Sequence, residues 1–144
     1  MKLLFIIGDI SAYGGTERVT TEIAAALTEA GHEVSILSLF GPATPWFDMP
    51  ESVCVTSAGL EQAGGNLRRS IVISRCLKHA ANTSGAEAII LVDTILFAFC
   101  VPWVWWSRTK VICWEHFNLT TSHGTRMRDF ARLAASRLSD KVAV

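Results

Sequence analysis

The sequence predicts an α/β fold, with a Rossmann-like, open and mainly parallel sheet that carries helices on both faces. Short apolar runs alternate along the chain with segments of helical periodicity, which is typical of this class. The first strand, helix and strand fit within residues 2–39, which suits a right-handed crossover unit. Half of the 144 residues are hydrophobic, enough for a large core, so we expect one domain over residues 1–144.

Charge and cysteine usage narrow the function classes. The 13 basic and 13 acidic side chains cancel, which argues against bulk electrostatic binding of nucleic acid. No C-x-x-C spacing occurs, so neither a zinc framework nor a disulfide scaffold is indicated, and we expect no metal site. Buried free thiols in a reducing compartment are the simplest interpretation of the four cysteines, Cys54, Cys76, Cys100 and Cys113.

The first loop is the strongest local signal. A strand at residues 2–7 leads into a small, polar loop that ends at Gly14-Gly15, and a helix begins near Thr16 and runs to about Ala30. Glycines and a helix N-terminus present free N–H groups and partial positive charge, which together favour an anion. The loop matches neither G-x-G-x-x-G nor the Walker pattern. A plain turn and a ligand-binding loop therefore both stay open.

The next elements follow from apolar periodicity. The first helix is predicted to bury Val19, Ile23, Ala26, Leu27 and Ala30, and Gly31 suits its C-terminal cap. Strands are expected near residues 33–39 and 53–56. A second helix from Asn66 to about Asn82 is predicted to bury Leu67, Ile71 and Leu77. Its outer face carries the cations Arg68, Arg69, Arg75 and Lys78, which fits either a solvated surface or contact with anionic lipid headgroups.

The segment Ala88–Trp106 is apolar enough to approach the length of a membrane span. Asp93 and Pro102 interrupt it, so we interpret it as a strand at 88–92, a polar turn and a short apolar helix. Asp93 stands at the carboxyl end of that strand, where it is either a helix cap or a site residue. The aromatic end of the segment fits core packing or a patch for a membrane or partner.

Polar and ionisable residues also follow the strand predicted at residues 110–114, in the run Glu115-His116-Phe117-Asn118. His116 is either a structural histidine or a ligand contact. The final helix, about Thr125 to Leu138, is predicted to place arginines away from its buried face, and a sixth strand begins near Asp140. The residues expected to face inward are Met127, Phe130, Ala131, Ala134 and Leu138, and the arginines are Arg126, Arg128, Arg132 and Arg137.

These motifs together resemble the N-terminal domain of a family 4 glycosyltransferase, a retaining sugar transferase of the GT-B fold. The resemblance rests on Tyr13-Gly14-Gly15-Thr16-Glu17-Arg18, on Ala30-Gly31-His32-Glu33-Val34 and on Trp114-Glu115-His116-Phe117-Asn118. The last segment, and the arginine-rich helix before Ser139-Asp140-Lys141-Val142, are similar to bacterial surface-polysaccharide members.

The resemblance implies roles for particular residues. Gly14, Gly15 and Thr16 would bind the donor, a nucleotide-diphosphate sugar, and no separate cofactor is implied. His116 would position ligands, while Asp93, Glu115 and Asn118 would face the acceptor. The acceptor would be a saccharide or a lipid-linked sugar. The protein would be cytoplasmic and would meet this acceptor at the inner face of the membrane. An anionic membrane surface would be a further partner.

The resemblance also implies a second Rossmann-like domain that bears a Glu-x7-Glu motif and most nucleotide contacts. Residues 1–144 do not supply it, so the expected entity is an N-terminal half, as a fragment or as one piece of a split enzyme, inactive alone. Two other functions stay open: a non-catalytic module of the same fold that recruits a partner, and a small membrane-embedded protein built around Ala88–Trp106.

Overall fold

The structure is a computed structural model that describes residues 1–60, 66–107, 109–115 and 126–143. Its six strands form one sheet in the order β3-β2-β1-β4-β5-β6, and every neighbouring pair is parallel. The strands are β1 Lys2–Ile7, β2 Glu33–Ser38, β3 Cys54–Ser57, β4 Ala88–Val92, β5 Lys110–Trp114 and β6 Lys141–Ala143. The helices are α1 Gly15–Glu29, α2 Asn66–Thr83 and α3 Arg126–Leu138, with 3-10 helices at Thr94–Phe99 and Val104–Trp106.

The predicted fold class is confirmed, including the sixth strand. The segment Ala88–Trp106 forms β4 and two 3-10 helices rather than one apolar helix. The side chain of Asp93 accepts a hydrogen bond from the Ile95 amide and begins the first 3-10 helix there. Within the described parts of the chain, no helix combines the length and the apolar character that crossing a membrane requires.

The sheet separates two hydrophobic cores. On one face, α1 covers β1 and its neighbours through Ala24 and Leu27. On the other face, α2, the first 3-10 helix and α3 pack through side chains such as Leu77, Phe97 and Ala134. β4 is buried along its whole length, as a central parallel strand should be. Helices on both faces are therefore confirmed.

The buried face of α1 differs from the prediction. Val19, Ile23 and Ala26 are exposed, whereas Thr20, Thr21 and Ala24 are buried. The Thr20 hydroxyl donates to the carbonyl of Thr16 at 2.7 Å, and the hydroxyl of Thr21 bonds within the helix in the same way. Because these hydroxyls are satisfied inside the helix, the threonines act as compact side chains that let α1 approach the sheet closely.

In α2 and α3 as well, some of the side chains predicted to be buried are exposed. Leu77 is buried in α2 as predicted, but Leu67 and Ile71 are exposed. In α3, Ala131 and Ala134 are buried as predicted, whereas Phe130 is exposed. Met127 also faces solvent.

Small alanines let α3 lie close to the first 3-10 helix, and the larger side chains are then left outside. Two of the arginines predicted to point away from the core, Arg128 and Arg132, turn inward instead. Both meet carboxylates there, which explains how a helix can bury part of a guanidinium side chain.

Candidate functional site

A cleft of about 270 Å³ opens at the carboxyl edge of the sheet, between β1 and β4. From β1 the chain crosses to β2 on one side, whereas β4 lies on the other side, so this is the point where the strand order reverses. In doubly wound sheets, ligands bind in the crevice at such a switch point. The cleft is lined by Ile7, Gly8, Thr16, Glu17, Phe40, Val92, Asp93, Ile95 and Leu96.

The N-terminus of α1 forms one wall of this cleft. Gly14 precedes the helix in an extended conformation and supplies no side-chain cap. The first amide of α1 to find a helical partner is that of Arg18, which donates to the Gly14 carbonyl at 3.2 Å. The amides of Gly15, Thr16 and Glu17 have no acceptor among the described residues. These N–H groups and the helix dipole provide the elements of an anion site.

The two glycines at the start of the helix, Gly14 as its cap and Gly15 as its first residue, differ in their surroundings. A Cβ atom on Gly15 would meet nothing within 4 Å, so its outer side is open to a ligand. A Cβ atom on Gly14 would overlap the Glu17 carboxylate, which folds back over that position. The Glu17 charge interacts favourably with the helix dipole. An anionic ligand at the same place meets this carboxylate, and its binding therefore requires Glu17 to turn outward.

The loops after β1 and β2 are joined into one unit beside the cleft. The Asp9 carboxylate accepts hydrogen bonds from the amide and hydroxyl of Ser11, at 2.9 and 2.7 Å. It packs directly against Gly41, where any side chain would overlap it. The carbonyl of Gly41 in turn accepts from the Ser57 hydroxyl at 2.6 Å. This packing holds the first loop in place before Gly14.

Three aromatic rings cover the outer side of these joined loops. The centre of the Tyr13 ring lies 5.8 Å from the ring centres of both Trp46 and Phe47. The Tyr13 ring is edge-on to Trp46 and nearly parallel to Phe47. Tyr13 and Trp46 are largely exposed. The cluster therefore presents apolar ring faces to solvent one residue before Gly14.

Asp93 forms the opposite wall and is held from three directions. Its carboxylate accepts from the Ile95 amide at 2.9 Å, and a parallel pair of bonds from Arg128 reaches it at 3.1 and 3.0 Å. Its own amide donates to the carbonyl of Trp114. The backbone at Asp93 has φ 99°, a left-handed value that costs about 1–3 kcal/mol outside glycine. Asp93 is therefore both a helix cap and a residue of the cleft wall.

Glu115 lies below the surface at the end of β5. Its side chain is only 1% exposed, and Arg132 donates to it at 3.0 Å. Arg128 also approaches it, at 3.8 Å, so two guanidinium groups face two carboxylates. The hydrogen bond that Arg132 donates to the Glu115 carboxylate is the main cause that raises the pKa of Arg132. The Glu115 carboxylate is therefore enclosed and paired, and it is not among the residues that line the cleft; its contact with an acceptor stays a prediction.

His116 and Asn118, the other predicted residues of this cluster, lie outside the described residues. The structure does fix where the chain leaves β5 to reach them, because the Glu115 amide donates to the carbonyl of Ala143 at 2.9 Å. Sequence reasoning missed the partners of this cluster, Arg128 and Arg132. Their spacing of four residues, on the helix that follows the acidic strand end, was the signal that they share one inward face.

A larger cavity lies elsewhere. A groove of about 600 Å³ runs between α2 and the outer strands β2 and β3, and none of the predicted site residues lines it. It reaches the amino edge of the sheet at Lys2 and Glu33, which form an ion pair there. The smaller cleft is the better candidate because it combines the switch point, free amides and a held carboxylate. Among the described residues, no three of His, Cys, Asp or Glu are grouped to hold a metal ion.

Comparison with known proteins finds a family model and a relative that match most of this chain. The family model described as Glycosyltransferase Family 4 matches residues 13–144, a span that begins one residue before Gly14. A protein of Haemophilus influenzae, described as an uncharacterized glycosyltransferase, is 26% identical over 142 residues. The alignment covers 98% of this chain and 39% of that relative, so the chain spans well under half of the relative's length.

Proposed function

The match over residues 13–144 makes this chain a member of glycosyltransferase family 4, and on that premise we propose that it binds the acceptor and one side of the donor diphosphate in sugar transfer. The cleft at the switch point carries this proposal. The amides of the α1 N-terminus, which have no acceptor within the described part of the chain, lie opposite Asp93 in a crevice of the kind that holds nucleotides in doubly wound sheets.

The proposed reaction is retaining. The acceptor oxygen forms a bond to the anomeric carbon of a nucleotide-diphosphate sugar, and the bond from that carbon to the diphosphate breaks. The departing diphosphate takes the hydroxyl proton, and the configuration at the anomeric carbon is retained. Gly14, Gly15 and Thr16 contact the diphosphate through backbone amides. Asp93 and Asn118 face the acceptor, and His116 positions the reacting groups. Glu115 acts as a positioning residue, because its enclosed carboxylate joins the end of β5 to Arg132 on α3.

The proposed setting is the synthesis of bacterial surface polysaccharide or lipopolysaccharide. The acceptor is a saccharide or a lipid-linked sugar, presented at the inner face of the membrane. The segment from Trp114 to Asn118 supports this setting, since it is similar to surface-polysaccharide members of the family.

We further propose that the 144-residue chain does not transfer sugar alone. Departure of a diphosphate requires positioned positive charge and hydrogen-bond donors. The residues that line the cleft include Glu17 and Asp93 but no lysine or arginine. Arg128, which reaches the cleft wall from α3, is already held by Asp93. A second Rossmann-like domain with a Glu-x7-Glu motif would supply the missing charge.

Substitution of Gly15 tests the donor site. Weak binding of nucleoside diphosphates to the chain can be followed by saturation-transfer NMR, with the variants Gly15→Ala and Gly15→Val compared with the parent chain. We expect binding to weaken progressively with side-chain size, because bulk at this position blocks backbone approach to phosphate. The melting temperature should change little, since a Cβ atom there meets nothing within 4 Å.

Two outcomes would contradict the proposal. Equal binding by the parent chain and Gly15→Val would move the diphosphate away from the α1 N-terminus. Transfer by the purified chain alone would refute the need for a second domain. A non-catalytic module predicts no gain of transfer when a donor-binding domain is supplied, whereas the proposed enzyme gains it.

A further inference from the structure

We propose that Arg69, whose guanidinium lies over the Phe40 ring at the rim of the cleft, binds a phosphoryl group of the ligand. Arg69 belongs to the first turn of α2, and Phe40 follows the end of β2. The inference rests on the proposed function, because it assigns a further anion contact to the same cleft. Either the donor diphosphate or a phosphorylated acceptor can supply this group, and the test distinguishes the two sources.

Phe40 connects Arg69 to the cleft. It lines the cleft together with Gly8, and its amide donates to the Gly8 carbonyl at 2.8 Å. Its side chain is half-buried and packs against the hydrophobic core on the α2 side of the sheet. The central guanidinium carbon of Arg69 lies 4.7 Å from the centre of the Phe40 ring, a separation at which the ring face attracts a cation. The contact therefore places a positive charge beside a residue of the cleft wall.

Arg69 keeps its hydrogen-bonding capacity in this position. Within the part of the chain that the structure describes, no residue forms a hydrogen bond or an ion pair with it. Arg18, Arg128 and Arg132, by contrast, each pair with a carboxylate. A guanidinium has five N–H donors in a rigid planar fork, and an aromatic face does not consume them. Arg69 can therefore donate two parallel hydrogen bonds to the oxygens of a phosphoryl group.

The place of Arg69 on its helix is unfavourable for helix stability. Arg68 and Arg69 both lie in the first turn of α2, and that turn holds no acidic residue. The helix dipole puts partial positive charge at the same end, so the two cations are repelled by it. Departures from such local rules are expected at functional sites. An anion bound at this end of α2 relieves the repulsion.

Positive potential reaches the carboxyl edge of the sheet from both faces. α1 begins there on one face, with amides that have no acceptor among the described residues, and α2 begins there on the other face with Arg69. A phosphorylated ligand in the cleft thus meets backbone amides on one side and a guanidinium on the other. Glu17 offsets this single rim cation, so Arg69 does not replace the positive charge expected from a second domain.

A phosphoryl group suits this place better than a neutral sugar does. A guanidinium fork matches the spacing of phosphate oxygens, and its charge strengthens both hydrogen bonds. A neutral saccharide gains no such benefit from an unpaired cation. The effect of Arg69 should therefore depend on whether the ligand carries a phosphoryl group.

The test measures dissociation constants of the 144-residue chain by NMR titration with uridine diphosphate, glucose 1-phosphate and methyl glucoside. Arg69→Gln should weaken binding of a phosphorylated probe on the order of tenfold, because two charge-assisted hydrogen bonds are lost. Weakening for uridine diphosphate identifies the donor as the source, and weakening for glucose 1-phosphate alone identifies a phosphorylated acceptor. Arg69→Lys should still weaken binding about fivefold, because an ammonium cannot form the parallel pair. Methyl glucoside should respond to neither variant.

Two further variants separate the arginine contact from general charge. Arg68→Gln is the matched control, because it removes the neighbouring cation of the same turn, and it should change affinity less than about twofold. Phe40→Leu keeps an apolar side chain against the core and removes the ring. It should weaken binding of the phosphorylated probe roughly threefold, because the guanidinium loses its support, and should have no further effect once Arg69 is glutamine.

The proposal is overturned if Arg69→Gln binds every probe like the parent chain, if Arg69→Lys restores full affinity, or if Arg68→Gln weakens binding equally. A lower melting temperature of Arg69→Gln with unchanged affinity would also overturn it, since Arg69 would then be a structural contact of α2. The donor site at α1 is judged separately. Weaker binding by Gly15→Val without any effect of Arg69→Gln would refute this inference and leave the proposed function in place. A parent chain that binds no phosphorylated probe would refute both.

Discussion

Breaking the ion pair between Asp93 and Arg128 should loosen the carboxyl edge of the sheet, where the candidate site lies. Arg128 reaches Asp93 with two parallel hydrogen bonds, at 3.1 and 3.0 Å, and so joins α3 to the end of β4. The informative substitutions are Arg128→Met, which keeps most of the side-chain volume, and Asp93→Asn. The asparagine can still accept from the Ile95 amide and tolerates a left-handed backbone, but it removes the negative charge and replaces one acceptor of the Arg128 pair with an NH2 donor.

The size of the effect follows from burial. The side chains of Arg128 and Asp93 are 14% and 22% exposed, so the pair lies much nearer to a buried ion pair than to a surface one. Removing one partner of a buried pair costs about 3–5 kcal/mol, and a surface pair contributes about 0–1 kcal/mol. We expect Arg128→Met to cost about 3 kcal/mol, which for a chain of this size lowers the melting temperature by roughly 6–12 °C.

The assay is a double-mutant cycle by urea unfolding. The two single variants and the double variant should give a coupling energy of about 2 kcal/mol, because the double variant leaves no uncompensated charge. The pair Arg18–Glu22 is the matched control. Its side chains are 67% and 60% exposed, so the same cycle on α1 should show no measurable coupling.

A coupling energy below about 0.5 kcal/mol for Asp93 and Arg128 would refute this reasoning. The cost of Arg128→Met would then come from packing of the arginine stem, and not from the charge that it brings to the strand end. Equal coupling in the buried and exposed pairs would likewise show that burial does not set the strength of the interaction.

Further predictions concern the cleft and the thiols. Glu17→Gln should tighten nucleoside diphosphate binding two- to fivefold, because it removes a negative charge worth about 0.3–1 kcal/mol at the helix N-terminus; weaker binding would instead make Glu17 a ligand contact. Native protein should react with a thiol reagent at exposed Cys54, whereas Cys113 should react only on unfolding. Burial raises the pKa of Cys113 from 9.0 to about 12. The contribution of the neutral Cys113 thiol to the free energy of unfolding is therefore complete below pH 9.0 and is lost as pH rises towards 12. Cys113→Ala should flatten the dependence of the free energy of unfolding on pH in this range. In a protein completed by its donor-binding domain, His116→Ala should lower turnover on the order of a hundredfold with an unchanged melting temperature, and lost stability with normal turnover would make His116 structural.

The sequence by itself determined the elements of this fold. Short apolar runs predict five strands and the beginning of the sixth, and β4 is the most continuously apolar of them because it is buried along its whole length. The break at Asp93 was also readable, since a charged residue cannot continue a buried strand. Gly31, which ends the first helical unit with φ 86°, is a third feature that local chemistry dictates.

The faces of the helices were decided only by tertiary packing. Periodicity marked Leu67, Ile71 and Phe130 as inward because they are apolar, yet each lies outside. An amphipathic pattern shows which residues share a side of a helix, but it does not show which side can approach the sheet most closely. Small alanines, and threonines whose hydroxyls bond within their helix, take that position in this protein.

The candidate site is likewise formed by residues that are far apart in the sequence. Gly14, Thr16 and Asp93 were each singled out from the sequence, but only the strand order brings α1 and the end of β4 to opposite walls of one cleft. The arginine that holds Asp93 lies 35 residues later in the chain, on another helix. Local sequence pattern cannot reveal such a pairing. Burial of a carboxylate is unfavourable unless an opposite charge lies beside it, and only the complete fold brings that charge into position.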